Sequence, residues 1–194
     1  MPFEYLAPST FSELRQGEIV SDVYELRPLH SPVEIPVELN IPLQTVYHPR
    51  LIVMTADCDL LQDYNARKNA AEAQQSANAT WELPNVLPHI LLCELYEQDE
   101  IREWITGSDI WRRIRQNQDE RYHHLPAAPV GNLQGSELPD LYLDFKRILT
   151  LPTHLLYEAL ESSQAGRIAV LPPVYIQNLM HRFYSFLSRV AIPD

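Results

Sequence analysis

Short apolar runs bounded by proline or glycine dominate the first half of the chain and predict β-strands there. The run Arg50-Leu51-Ile52-Val53-Met54-Thr55 is continuously apolar between its polar ends, which is typical of a strand buried on both faces. The predicted strands cover residues 17–26, 43–55 and 88–96. Residues 27–42 contain four prolines, so we predict an extended arm or a bulged edge strand, where proline is tolerated.

Helical spacing of apolar residues is concentrated in the second half. The last segment opens with Pro172 and Pro173, and its apolar residues recur every three or four positions, which predicts an amphipathic helix packed on a sheet. Ser9 or Thr10, Asp99, Ser108 or Asp109, and Thr153 are the candidate caps of the other helices. The predicted helices cover residues 9–16, 97–105, 108–125, 153–163 and 173–190.

Two strands are predicted between these helices. In residues 140–152, Leu141, Leu143 and Phe145 alternate with Tyr142, Asp144 and Lys146, which predicts a strand with one face in water. Residues 166–171 form a brief strand-like segment before the last helix. This element order indicates an α+β fold rather than a doubly wound sheet.

Residues 62–80 are polar and rich in Ala, Asn and Gln. They show no apolar stripe that would anchor a helix, so we expect a surface helix or a mobile insertion. The rest of the chain offers no boundary, and its 194 residues suit one domain spanning positions 1–194.

The net charge of the chain affects which partners we expect it to bind. The chain carries 15 Lys and Arg against 26 Asp and Glu, a net charge of −11 at pH 7, which repels phosphate backbones at long range. Nucleic acid is therefore not the expected partner, and Arg112, Arg113 and Arg115 form the one dense basic patch. With five glycines and no phosphate-binding loop motif, no cofactor is expected.

Cys58 and Cys93 both follow apolar runs and are expected to be buried free thiols, as in a reducing cytoplasm. The N-terminal residues do not have the pattern of a signal peptide, and no apolar run is long enough to span a membrane. We therefore expect a cytoplasmic protein, and the sequence leaves its oligomeric state open.

The candidate chemistry lies in the turn Thr55-Ala56-Asp57-Cys58-Asp59, which follows the most apolar strand. Cys58 is a candidate nucleophile, although flanking carboxylates disfavour a thiolate and a histidine, His123 or His124, would have to approach it. Asp57, Asp59 and His123 could instead bind a divalent metal ion, but no paired ligand motif supports this. The structural interpretation, which we favour, is that Asp57 or Asp59 caps the turn and Cys58 is a small buried side chain.

The pair His123-His124 falls near the end of a predicted helix, where histidine stabilises the helix dipole and where adjacent side chains point about 100° apart. We therefore assign no metal to this pair. Arg189 lies in the last turn of the final helix, where a cation is favourable, and is a candidate binding residue.

The opening strand Gly17-Glu18-Ile19-Val20, followed after a long loop by the 50–55 strand, is similar to the beginning of PemK/MazF-like toxins. That resemblance covers about the first 60 residues. It implies a small, strongly curved SH3-like sheet or barrel and RNA cleavage, with Arg50 and Thr55 near the RNA groove. The long helical second half and the acidic charge depart from that family.

A second resemblance spans most of the chain. The GEIV strand, the motif Thr55-x-x-Cys58-Asp59-Leu60 and the closing segment from Pro172 to Pro193 look like a family of bacterial proteins of uncharacterised activity. It implies no particular reaction.

The leading hypothesis is a non-enzymatic interaction or regulatory module that binds a protein, with Trp81, Tyr96 and Trp104 as exposed aromatic residues of its binding face. The alternative is an enzyme, a toxin-like ribonuclease or a hydrolase centred on Asp57, Cys58, Asp59 and His123. The sequence does not decide whether the chain is an enzyme.

Overall fold

The computed structural model describes residues 4–8, 13–29, 42–72, 84–129 and 137–189. Within them, helices and strands combine in one α+β arrangement. Its strands are β1 (Glu18–Pro28), β2 (Leu43–Val53), β3 (His89–Glu97), β4 (Tyr122–Leu125), β5 (Ala128–Pro129), β6 (Glu137–Leu138), β7 (Leu141–Pro152) and β8 (Gly166–Val170). Its helices are α1 (Asp57–Glu72), α2 (Gln98–Trp104), α3 (Ser108–Arg115), α4 (Thr153–Glu161) and α5 (Pro173–Leu187).

Six strands form an antiparallel sheet in the order β4-β7-β3-β2-β1-β8, and β5 pairs separately with β6. The sheet is open in the described part of the chain, with β4 and β8 at its edges, rather than closed into a barrel. The predicted α+β class is confirmed at this level, and the strand order does not confirm the SH3-like arrangement.

Helices cover both faces of the sheet. On one face, Leu179, Met180 and Phe183 of α5 pack against inward residues such as Ile52 and Phe145. On the other face, Leu60 of α1 and Leu156 of α4 pack against Val20, Leu51, Val53 and Leu92. The predicted burial of residues 51–54 on both faces is confirmed, because both layers converge on β2.

A third, smaller cluster joins α2 and α3 to the sheet. Ile101, Ile114, Tyr122 and Tyr142 form its buried part. The sequence predicted a wet face for Tyr142, Asp144 and Lys146, and this is wrong for the first two. Tyr142 and Asp144 are fully buried because helices lie over this face of β7 as well, whereas Lys146 is exposed.

Several local predictions need correction. Residues 13–16 are not helical, and residues 9–12 of that predicted helix lie outside the described residues, as do 30–41 of the predicted arm. The helix caps fall one or two residues earlier than predicted, at Glu97, Gly107 and Pro152. Glu97 and Glu100 form a capping box, so Asp99 is a first-turn residue rather than the cap.

Gly17 marks the entry to β1 instead of the end of a helix. Its φ of +78° lies in the left-handed region that glycine adopts without strain. An added Cβ would also lie 2.7 Å from Ile176 Cγ1 of α5. Glycine is therefore needed here both for its backbone angle and for the close approach of the last helix.

Helix α1 explains how the polar segment after residue 57 folds. Beside the buried Leu60, its anchor is Asp63, a fully buried carboxylate. Asp63 Oδ1 accepts a hydrogen bond from the Leu87 backbone N–H at 2.7 Å, and both carboxylate oxygens accept from Arg67 Nε at 2.9–3.0 Å. Residues 57–72 are thus helical, and residues 73–80 of the predicted insertion lie outside the described part.

Candidate functional site

The turn Thr55–Asp59 becomes the start of α1, and its polar groups connect segments of the fold. Asp57 Oδ1 accepts a hydrogen bond from the Gln16 backbone N–H at 2.7 Å, and its carboxylate binds the Arg15 guanidinium through two contacts of 3.1 Å. Thr55 Oγ1 accepts from the Leu91 backbone N–H at 2.8 Å. An acidic side chain in the first turn of a helix is electrostatically favourable.

Cys58 is exposed, so the expectation that it is buried is wrong, whereas Cys93 is buried as predicted. The inward position of this turn is taken by Leu60, which is fully buried. The Cys58 thiol donates a hydrogen bond to Asp59 Oδ1 at 3.6 Å, so it contacts a carboxylate rather than the histidine that a nucleophilic role requires.

His123 and His124 lie on strand β4, not on a helix, so their side chains point to opposite faces of the sheet. His123 is buried beside Phe145, and its Nδ1 has no hydrogen-bond partner within the described residues. Burial, with the nearby Arg182 charge, lowers the pKa of His123 to about 3. His124 stacks on Tyr142 and contacts Asp140 Oδ1 at 2.9 Å through Nε2.

The metal hypothesis for Asp57, Asp59 and His123 gains no support from this geometry. Among the residues with described positions, no group of three or more His, Cys, Asp or Glu side chains is arranged to hold a metal ion. Their proposed catalytic roles, like that of Cys58, stay predictions.

Arg50 and Arg189 make ion pairs. Arg50 contacts Glu97 at 2.7 Å. Arg189 follows α5, donates from Nε to the Phe186 carbonyl at 3.0 Å and lies 3.3 Å from Glu120. Roles of either arginine in ligand binding stay predictions.

Two of the three aromatic residues predicted for the binding face, Tyr96 and Trp104, pack against each other. Tyr96 meets Trp104 edge to face with ring centroids 4.8 Å apart, and the Tyr96 hydroxyl donates a hydrogen bond to Glu94. Trp104 keeps about half of its surface exposed, and Trp81 lies outside the described residues.

A buried charged cluster on β1, β2 and β3 had no signal in the sequence. His48 is almost fully buried, with Nδ1 2.9 Å from Glu94 Oε1 and Nε2 3.1 Å from Glu25 Oε2. The hydrogen bond to Glu94, and then that to Glu25, outweigh burial and raise the pKa of His48 above its ordinary value. Both ring nitrogens can donate to carboxylates only in the imidazolium form. The cluster therefore favours a charged histidine that connects three strands.

The opposite face of the same β1–β2 ribbon is apolar and turned to solvent. Tyr24 pairs directly with Tyr47 across the two strands, with ring centroids 5.1 Å apart, and Leu26 follows two residues later on the same face. The face continues to Leu43, which is opposite Pro28. Tyr24 and Leu26 keep 62% and 64% of their surface exposed, so the apolar face of this ribbon is not part of the core.

A groove of about 740 Å³ runs between this face and helix α4. Its apolar wall comes from Tyr24 and Leu26 on β1 and from Leu155 and Ala159 on α4. We call this groove, with the exposed ribbon face of residues 24, 26, 43 and 47, the open flank. Sequence patterns reveal that these residues share a face, but not that the face is uncovered.

Comparisons with known proteins add no family: neither the protein-family models nor the curated proteins include a match to this chain. The class that the fold defines is an α+β protein with an open six-stranded antiparallel sheet. In the described residues, no helix combines the length and apolar character needed to cross a membrane.

Proposed function

We propose that this chain is a non-enzymatic interaction module that binds another protein on its open flank. The observation that carries the proposal is the exposed apolar face formed by Tyr24, Leu26, Leu43 and Tyr47 beside the groove. Contiguous exposed apolar surface with aromatic residues at its centre is characteristic of protein-binding sites.

The geometry also provides rigid anchors. The Tyr24 and Tyr47 rings contact each other, and the Tyr47 hydroxyl donates a 2.7 Å hydrogen bond to Asp22 Oδ1. Side chains already held in one arrangement lose little entropy on binding, and tyrosine is enriched among residues that dominate interface energetics. We expect Tyr24 and Tyr47 to be central to the interface.

The experiment is affinity capture with matched surface variants. Tyr24→Ser/Leu26→Ser removes the open flank, while Tyr184→Ser/Leu187→Ser removes a tyrosine and a leucine with similar exposures of 58% and 54% on α5. A partner polypeptide should be retained by the wild-type chain and the α5 variant and lost from the open-flank variant. Identical capture by both variants would contradict the proposal, as would loss of capture from the α5 variant alone.

One observation favours the enzymatic alternative: Cys58 is exposed in the first turn of the 16-residue helix α1. A toxin-like ribonuclease or a hydrolase, with the SH3-like kinship implied by the first resemblance, would use that turn. Incubating purified protein and its Cys58→Ala variant with RNA tests this alternative. Cleavage by the wild-type chain that disappears in the variant would replace the interaction module with an enzyme.

A further inference from the structure

Strand β1 has a free edge next to the groove. On one side, β2 pairs with β1 as far as Pro28, but on the other side β8 pairs only with residues 18–21. Asp22 follows with φ of 59°, a left-handed conformation that interrupts the regular strand. Within the described residues, no strand pairs with residues 23–28 on that side, so their outward N–H and C=O groups have no strand partner.

An extended chain placed on this edge would fill the groove with every second side chain. Side chains of a strand alternate between the two faces of a sheet, and the face shared with Tyr24 and Leu26 is the one that borders α4. Residues 23–28 span about 20 Å, enough to pair with six residues of a partner. The hydrogen bonds would supply affinity and the groove would supply selectivity.

Charge indicates the chemistry of that chain. Asp22, Glu158 and Glu161 line the groove, and no lysine, arginine or histidine is among the described residues that line it. Glu158 and Glu161 are exposed. The Glu158 charge acts on His154 within the same helix, and neither carboxylate forms a salt bridge with another described residue. The whole chain adds a net charge of −11, which attracts a cationic partner.

We propose that an extended, basic segment of a partner protein binds by adding a strand to β1 along residues 23–28. Apolar side chains of that segment contact Tyr24, Leu26 and Leu155, and its lysines or arginines lie near Glu158 and Glu161. This inference rests on the proposed function, because it specifies how the open flank recognises its partner.

The test uses the synthetic seven-residue peptide Lys-Ser-Val-Ser-Val-Ser-Lys, titrated into the full chain by calorimetry. In a strand its lysines and valines all lie on one face, the face that would enter the groove. Two further peptides carry backbone N-methyl groups, one on the serines and one on the lysines and valines. In a strand, N–H groups alternate between the two edges, so only one methylation pattern removes the donors that face β1. That peptide should lose more than about tenfold in affinity, because several hydrogen bonds of about 1 kcal/mol each are lost.

Charge is tested separately with Glu158→Gln/Glu161→Gln. Two exposed ion pairs are worth about fivefold in affinity for the parent peptide. The matched control is Glu103→Gln, an exposed acidic residue of α2, which should leave the affinity unchanged. The same peptide with glutamate in place of both lysines should not bind at the same concentrations.

The outcomes separate this inference from the proposed function. A large difference between the two methylated peptides, together with weaker binding to the glutamine variant, supports strand addition by a basic segment. Equal affinities of the two methylated peptides, or no binding of the parent peptide, overturn strand addition. The proposed function fails independently if both surface variants capture the partner protein equally, or if only the α5 variant loses it.

Discussion

Similar side chains are buried on one flank of the sheet and exposed to solvent on the other. Around β7, α5 packs on one face and the α2–α3 cluster on the other, so residues 141–145 are all buried. We call this region the covered flank. On the open flank, Tyr24 and Leu26 remain largely in water although they alternate as regularly as core residues. Alternation therefore assigns residues to a common face, while the packing of other elements decides whether that face is buried.

The two flanks also differ in whether their carboxylates are buried and paired or exposed. Asp144 is fully buried on the covered flank and accepts from both arms of the Arg121 guanidinium, with Nε at 2.7 Å from Oδ1. Glu158 and Glu161 on the open flank are exposed beside the groove and form no salt bridge with another described residue. A buried, paired charge stabilises the fold, whereas an exposed charge beside an apolar groove is accessible to a partner.

The largest expected effect comes from breaking the covered flank with Arg121→Ala. This change leaves the Asp144 carboxylate buried without its cation, and removing one member of a buried pair costs about 3–5 kcal/mol. Because the Arg121 side chain is one-third exposed, we expect the lower end of that range. Urea denaturation measures the change in free energy of unfolding. A loss below about 1 kcal/mol would show that the flank does not depend on this pair.

The second prediction concerns His123 on the covered flank. Its folded pKa is about 3, against an ordinary value of 6.5, so the unfolded chain binds the extra proton between these values. Stability contributed by neutral His123 is present above pH 6.5 and is lost as the pH falls towards 3. His123→Leu should reduce the acid sensitivity measured by urea denaturation between pH 7 and pH 4. An unchanged pH profile would contradict a buried neutral histidine.

The third prediction concerns His48, on the inner face of the β1–β2 ribbon, whose pH dependence has the opposite sign. Its folded pKa is raised above 6.5, so its contribution to stability is fully present below pH 6.5 and is lost as the pH rises through the folded pKa. The hydrogen bond from His48 lowers the pKa of Glu94 below 4.5. Burial raises the pKa of Glu25, but hydrogen bonds from Arg27 and His48 outweigh it and lower that pKa below 4.5 as well. Their contribution is lost in stronger acid.

His48→Gln should therefore destabilise the protein by about 1–2 kcal/mol at pH 5.5, because charge-assisted hydrogen bonds are lost. The loss should be smaller at pH 8.5. Paired urea denaturation curves at the two pH values measure the difference. An effect of His48→Gln that grows towards high pH would contradict the charged cluster.

The sequence predicts an element of this fold when the pattern that defines the element lies within its own residues, and fails when distant residues decide it. The main strands and the last helix follow from apolar periodicity, and they are confirmed. Helix α1 could not be predicted to begin at Asp57, because its anchor is Asp63, whose partner Leu87 lies 24 residues away. The histidine pair was assigned to a helix because a four-residue strand, β4, offers too short a pattern to recognise.

The site was less predictable than the fold. The candidate turn Thr55–Asp59 drew attention by its unusual composition, yet Asp57 and Thr55 hydrogen-bond to other segments of the fold. The open flank was not predicted at all. Tyr24 and Leu26 look like ordinary strand residues, and their exposure depends on the register with β2 and on the early end of β8, which are both long-range properties.

The smallest expected change in stability is that of Tyr24→Ser/Leu26→Ser. Since both side chains are mostly exposed, we expect the free energy of unfolding to change by less than about 1 kcal/mol. The same urea denaturation applied to the α5 variant Tyr184→Ser/Leu187→Ser provides the matched reference. A loss of several kcal/mol in the open-flank variant alone would mean that these residues belong to the core.

The most direct test of the open flank as a binding surface is site-specific photo-crosslinking. A benzophenone amino acid replaces Tyr24 in one variant and Tyr184 in the other, and both variants are irradiated in the cells that produce the protein. The proposed function predicts a discrete covalent adduct with another polypeptide from position 24 and none from position 184. The same adducts from both positions, or an adduct from position 184 alone, would contradict it.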